Sequence, residues 1–368
     1  MKKLYIIKDP SQDLQNIEIL LSNLNKEIDN NSLGEEYNVS IIKCDGIKDT
    51  IEMLITQDDT RVIILNVDLT KNSEIVKNIR NQRKDIFVVM NDVTLDFPPQ
   101  MQYIHGLELL KTNSINLILS RDEIRNLNMI IAPEETKYSV SYDIKETIGF
   151  LAKMIISRMK NNFTRSSVIN GEAINWNSNL IPMSLRTVVN HCINNGAYKT
   201  VLGKTAGHFA VKINDTEILT SIRKTNFNEL DKVGLVKIES KNENEVIAHG
   251  FRPSVGGQSQ RIVFKEHPES DCIVHFHSPL MEEFRSVISI KPQWGNECGS
   301  HECGKNTSDG LNLIDLGDGD VLKVVYLDEH GPNIVFNHLV PPQKIIDFIE
   351  SHFDLQNKTG DFNKFQES

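Results

Sequence analysis

Short β-rich runs at 4–8, 39–43, 61–67 and 86–91 alternate with amphipathic helical stretches at 14–28, 48–55 and 74–83. Few architectures accept that alternation. Each helix carries the chain back along the sheet, so successive strands lie parallel and helices cover both faces. The first part of the chain is therefore expected to be an α/β parallel-sheet domain, receiver-like or flavodoxin-like. Asp9, Asp68 and Asp92 fall at strand C-terminal ends, where such sheets carry sites. An Asp after a strand also forms turns and caps helices, and no Gly-rich phosphate loop occurs here. Docking, assembly or recognition is the expected role of residues 1–135. A two-part sensor phosphorylated on Asp68 is the other reading.

A chain of 368 residues predicts two domains. Between 142 and 160, Ile144, Ile148, Leu151, Ile155 and Met159 recur at helical spacing. Residues 161–179 are polar and rich in Asn and Ser. The expected division is a first domain at 1–135, a bridging helix and linker at 136–182, a second domain at 183–355 and a flexible tail at 356–368. The net charge of −10 disfavours a nucleic-acid partner. No apolar run reaches the roughly 20 residues of a membrane span. Lys8 and Asp9 interrupt any signal-peptide core at the N-terminus. Five scattered cysteines suit a reducing compartment, so a cytoplasmic protein is expected.

The second half carries the chemistry. Cys272, Ile273 and Val274 read as a buried strand running into His275-Phe276-His277. Side chains alternate along a strand, so His275 and His277 project together while Phe276 faces the other side. Downstream, the β-rich run 321–327 ends in Asp328, Glu329, His330 and Gly331. Gly after a strand-end His marks a place where backbones approach closely. His275, His277 and His330 are thus three candidate ligands for one divalent metal, an arrangement that leaves an open position. Zn suits imidazole best; Mn, Fe, Co or Ni would also fit.

From Pro253 to Pro279 the chain resembles the class II aldolase/adducin family. Pro253, Ser254, Pro268, His275, His277, Ser278 and Pro279 fall in register with its Pro-Ser-Ser-Glu stretch and His-Thr-His-Ser strand. Residues 205–211 resemble its Thr-x-Gly-Asn-x-Ser-Val, and 327–331 its Leu-x-Asn-His-Gly. The resemblance spans roughly 183–350. It implies a C-terminal class II aldolase-like α/β/α domain, an antiparallel sheet layered between helices, which usually assembles as a homotetramer.

The departures concern acid/base chemistry. The family's catalytic Glu falls on Gly256, and the His one turn later on Gln260. Its phosphate-binding Asn and Ser fall on His208 and Ala210, and its Ser-Gly phosphate loop on Ser221 to Lys224. The loop after the His pair holds Trp294, Glu297, Cys298, His301, Glu302 and Cys303. Glu297 and Glu302 are the candidate catalytic carboxylates, with Glu282 behind them. Arg223, Lys224, His208 and Gln258 are the candidate substrate contacts. A second zinc held by Cys298, His301 and Cys303 is an alternative use of the loop, although CxxC spacing is lacking.

What the resemblance implies is a metal-dependent lyase of aldolase, epimerase or dehydratase type. It would act on a small hydroxy-carbonyl or sugar-phosphate-like substrate through Lewis-acid activation, with no nucleic acid or membrane partner. The alternative is a non-catalytic aldolase-like binding or assembly module that has kept its metal site.

Overall fold

The computed structural model describes residues 1–8, 14–43, 46–66, 69–94, 97–201 and 203–359; of 14, 69–73, 80, 93–94, 201 and 255–258 the backbone alone is described. The chain forms two compact units, Met1–Lys160 and a second beginning at Asn161.

In the first unit the expected alternation runs β1 (Lys2–Lys8), α1 (Leu14–Asn30), β2 (Tyr37–Lys43), α2 (Ile47–Ile55), β3 (Thr60–Asn66), α3 (Leu69–Gln82), β4 (Phe87–Thr94), α4 (Pro99–Asn113) and β5 (Leu117–Asp122). The antiparallel strands β6 (Leu127–Ala132) and β7 (Thr136–Ser141) and the helix α5 (Ile144–Arg158) complete it. The sheet order is β2-β1-β3-β4-β5-β6-β7, with β1 to β5 all parallel. The first five strands follow the flavodoxin-like order, whose switch point lies between β1 and β3. Strands buried on both faces need near-continuous apolar sequence, and Val62, Ile63, Ile64 and Leu65 of β3 are all buried.

Two features of this unit differ from expectation. Of the two roles open to the helix at 142–160, closing the first domain or bridging the two, it takes the first. As α5 it packs on α1, burying Ile148, Leu151 and Ile155. Asp92 lies inside β4 rather than after it, with its Oδ2 3.6 Å from His105 Nε2. Asp9 and Asp68 lie outside the described residues.

The second unit contains β8 (Arg165–Ile169), α6 (Met183–Asn194), a small hairpin of β9 (Thr200–Val201) and β10 (Lys204–Thr205), β11 (His208–Lys212), β12 (Glu217–Ser221), α7 (Leu230–Val233), β13 (Leu235–Asn242), β14 (Glu245–His249), α8 (Val255–Glu266), β15 (Cys272–His275), β16 (Ile290–Lys291), α9 (His301–Gly310), β17 (Asn312–Asp315), β18 (Val321–Leu327), β19 (Gly331–Phe336) and α10 (Pro342–His352). Its sheet runs β16-β18-β19-β15-β11-β12-β13-β14-β8, with β17 beside β18. Pairings are antiparallel except β14–β8 and β16–β18.

Period-two alternation divides the side chains of this sheet between two helix layers. Phe209, Val211, Cys272, Val274, Ile334 and Phe336 pack with the α6 and α10 side chains, Val188 and Ile345 among them. Ala210, Ile273 and Val335 face the opposite way, onto Val263 and Phe264 of α8. The unit is thus an α/β/α sandwich.

The polar stretch after 160 is part of this unit rather than a linker. It supplies β8, and Trp176 is buried with its Nε1 donating to Asn190 Oδ1 at 3.1 Å. The beginning of the expected tail is also ordered, since the Thr359 amide donates to the His277 carbonyl at 3.0 Å.

Candidate metal centre

His275 ends β15, between β11 and β19. Its cross-strand partners are His208 on one side and Asn333 on the other. Strand alternation places all three on the α8 face. Phe276 turns to the other face, where its ring sits 5.8 Å from that of Phe353. His277, just past the strand, returns to the same side, with its ring centroid 5.0 Å from that of His275.

His330 arrives from the tight turn between β18 and β19. Glu329 takes a left-handed φ of 59°, and Gly331 follows at 154°. A Cβ on Gly331 would lie 2.1 Å from the Phe276 carbonyl oxygen. Only Gly lets the turn press against the 276–277 backbone and deliver His330 to the pair. The His330 ring lies 4.7 Å from His275 and 4.3 Å from His277.

The three imidazoles are buried, and each offers one ring nitrogen within 4.8 Å of the other two. His275 Nε2 and His330 Nε2 are 3.1 Å apart. His275 Nδ1 donates to the Pro332 carbonyl at 2.7 Å, which leaves Nε2 with its lone pair turned inward. Such a carbonyl contact is the usual outer partner of a metal-ligating His. Burial pushes the His275 pKa down to about 4, against the opposing pull of that hydrogen bond. A neutral imidazole is the form that binds metal. The residues present therefore fit a divalent ion.

The surrounding candidates divide. His208 is brought in: its ring lies 4.6 Å from that of His275. Its Nδ1 faces the Gln260 amide nitrogen, and Gln260 Oε1 accepts from the Thr220 hydroxyl at 3.1 Å. With Gln260 donating, Nδ1 accepts and Nε2 carries the proton. Burial first, and the proximity of His275 second, hold the His208 pKa well below its usual value.

Arg223 and Lys224 follow β12 on the surface, and the Arg223 amide donates to the Arg252 carbonyl at 2.9 Å. Arg223 has its pKa lowered, by desolvation foremost and the Arg252 charge next, while Glu297 opposes the shift. Glu297 thus shares a neighbourhood with the candidate anion clamp. Gln258 belongs to α8, but its side chain lies outside the described residues.

Glu302 is held at the start of α9. Its two oxygens accept from the amide and the side-chain nitrogen of Asn162, both at 2.9 Å. It clamps the start of this unit to the first turn of α9. The second-zinc alternative fails in the same loop. His301 Nε2 is 2.9 Å from the Thr164 hydroxyl, Cys303 is buried beside Gln293, and Cys298 lies against His330, so the three do not gather at one point.

Residues 188–298 match the family model of the class II aldolase and adducin N-terminal domain. The match lies wholly within the second unit. No curated protein matches the chain. Among solved structures, L-fuculose 1-phosphate aldolase is 13% identical, with 46% of this chain and 81% of that chain covered and a TM-score of 0.33. A DNA/pantothenate metabolism flavoprotein from Streptococcus pneumoniae is 12% identical, with 43% of this chain and 99% of that chain covered and a TM-score of 0.32. The matched segment includes His275 and His277 and ends at Cys298; His330 lies beyond it. Among the described residues no helix is long and apolar enough to cross a membrane.

Proposed function

We propose that this chain is a divalent-metal-dependent lyase, of aldolase, epimerase or dehydratase type, for a small hydroxy-carbonyl or sugar-phosphate-like substrate. The observation that carries the reading is the convergence of the His275, His277 and His330 ring nitrogens in a buried site within a class II aldolase domain. A divalent ion held by these three would supply Lewis acidity, polarising a carbonyl or hydroxyl oxygen of the substrate.

The chain's own side chains take the remaining roles. Arg223 and Lys224 hold the anionic end of the substrate, Arg223 through a planar fork suited to phosphate. Glu297 takes the proton from the substrate carbon beside the oxygen and returns it. His208, stacked on His275 with Nε2–H as donor, orients a substrate oxygen.

Metal analysis of the purified chain tests the first part, with one ion per chain expected and loss of the ion in a His275→Ala/His277→Ala/His330→Ala variant. Turnover on a panel of sugar phosphates and 2-hydroxyketones tests the second. If Arg223→Ala leaves affinity for every anionic ligand unchanged, the clamp assignment is wrong.

A second reading has one observation in its favour. The position of the family's catalytic Glu is held by Gly256. Stoichiometric metal without turnover would favour a binding or assembly module.

A further inference from the structure

Cys298 stands against the same ring nitrogen that the histidine pair shares. Its Sγ is 3.1 Å from His330 Nε2, which in turn is 3.1 Å from His275 Nε2. In a tetrahedral zinc site with bonds of about 2.0–2.1 Å to nitrogen and 2.3 Å to sulfur, neighbouring donors lie roughly 3.3–3.6 Å apart. Both observed separations come within a few tenths of an ångström of that spacing, although Sγ does not lie within 4.8 Å of all three imidazole donors, so the loop must draw it inward as the ion binds.

The thiol is also built into place. Gly299 turns the chain with φ of 86°, and Ser300 caps α9 by accepting from the Cys303 amide at 3.0 Å. The Ser300 amide donates to the Glu297 carbonyl at 3.0 Å, and the Glu297 amide to Asn161 Oδ1 at 2.6 Å. On its other side Sγ lies 3.7 Å from the side-chain nitrogen of Gln293, a buried residue, which also donates to the Asn296 carbonyl at 2.6 Å and reaches Cys303 Sγ at 3.7 Å. An N–H directed at sulfur favours the thiolate that a metal requires. Cys298 and Cys303 line one cavity with His275, His330 and His208, of only about 10 Å³, near the smallest that holds a single water.

Resting on the metal reading above, we propose that Cys298 Sγ is a fourth protein ligand, completing a His₃Cys set. Two consequences follow. The softer donor set favours zinc or cobalt over magnesium or manganese. Substrate must enter by adding a fifth bond or by displacing the thiolate, so the 294–300 loop becomes part of the access route.

Cobalt substitution of the full chain, under reducing conditions, reads the sulfur directly. The wild-type protein should bind one Co²⁺ and show a thiolate-to-cobalt charge-transfer band in the near ultraviolet. The band should vanish in Cys298→Ser and survive in Cys303→Ser. Zinc affinity of Cys298→Ser should fall on the order of tenfold or more, since losing a ligand costs at least what losing an outer partner does. Stoichiometric cobalt with no such band in the wild type, or a band that persists in Cys298→Ser, overturns the proposal while leaving the histidine site intact. Wild-type protein that binds no cobalt overturns both.

Discussion

At the scale of single residues, the site depends on a glycine as much as on its histidines. Gly331 has a φ of 154°, and its missing side chain admits the Phe276 carbonyl. Gly331→Ala forces either the turn or the 276–277 backbone to move. Strain of this kind costs about 1–3 kcal/mol, and His330 is displaced from its partners. A lowered denaturation midpoint together with loss of bound zinc is the expected result; full zinc occupancy would show that the turn adapts. The triad and this glycine were both legible in the sequence, because a strand's period of two and a Gly after a strand-end His have a single structural meaning each. Cys298 was not. Its partner is 32 residues away in sequence, and three metal-binding residue types in one loop invited the wrong grouping. What separates them is a left-handed turn at Gly299 and an N-cap at Ser300, which send Cys298 inward and His301 outward.

At the scale of elements, α8 and α9 decide what the histidines can touch. Gly304 of α9 sits where a Cβ would lie 3.0 Å from the Ser259 carbonyl oxygen, so the two helices meet closely over the sheet. Gln260 of α8 reaches down between Thr220 and His208. Gln260→Leu leaves a partly buried imidazole nitrogen without its donor, at a cost of about 1–3 kcal/mol. Bound metal should be unaffected, because Gln260 meets His208 rather than the three ligands; chemical denaturation and metal content together check this. The two loop carboxylates should separate in the same way. Glu297→Gln is expected to lower turnover roughly 10²–10⁴-fold, the range for a positioned acid or base. Glu302→Gln should leave turnover near wild type and cost under about 1 kcal/mol, as exposed pairings do. Equal loss of turnover in both would return Glu302 to the catalytic set. Sequence patterning found the strongly amphipathic helices and missed α4. That helix buries the polar residues Gln102 and Asn113 and packs Gly106 against Ile131, so its core face does not read as apolar.

At the scale of the whole molecule, two cores are held by different means. The first unit buries an ion pair between Arg158 and Glu134, with the Tyr138 hydroxyl donating to the same carboxylate at 3.0 Å. The second keeps its buried polar chemistry for the histidines, all supplied by its own strands and turns. Metal bound to the folded state alone stabilises by mass action, about 2.7 kcal/mol at a hundredfold excess over Kd. For a unit of this size that amounts to roughly 5–10 °C in melting temperature. Scanning calorimetry of the intact chain should therefore resolve two transitions, of which a chelator lowers one. The chelator should move nothing in the His275→Ala/His277→Ala/His330→Ala variant. Arg158→Met strands the Glu134 charge, a loss of about 3–5 kcal/mol, and should lower only the transition that the chelator leaves alone. If each perturbation instead shifts both transitions together, the two units unfold as one cooperative body, and the energetic independence inferred from their separate cores is wrong.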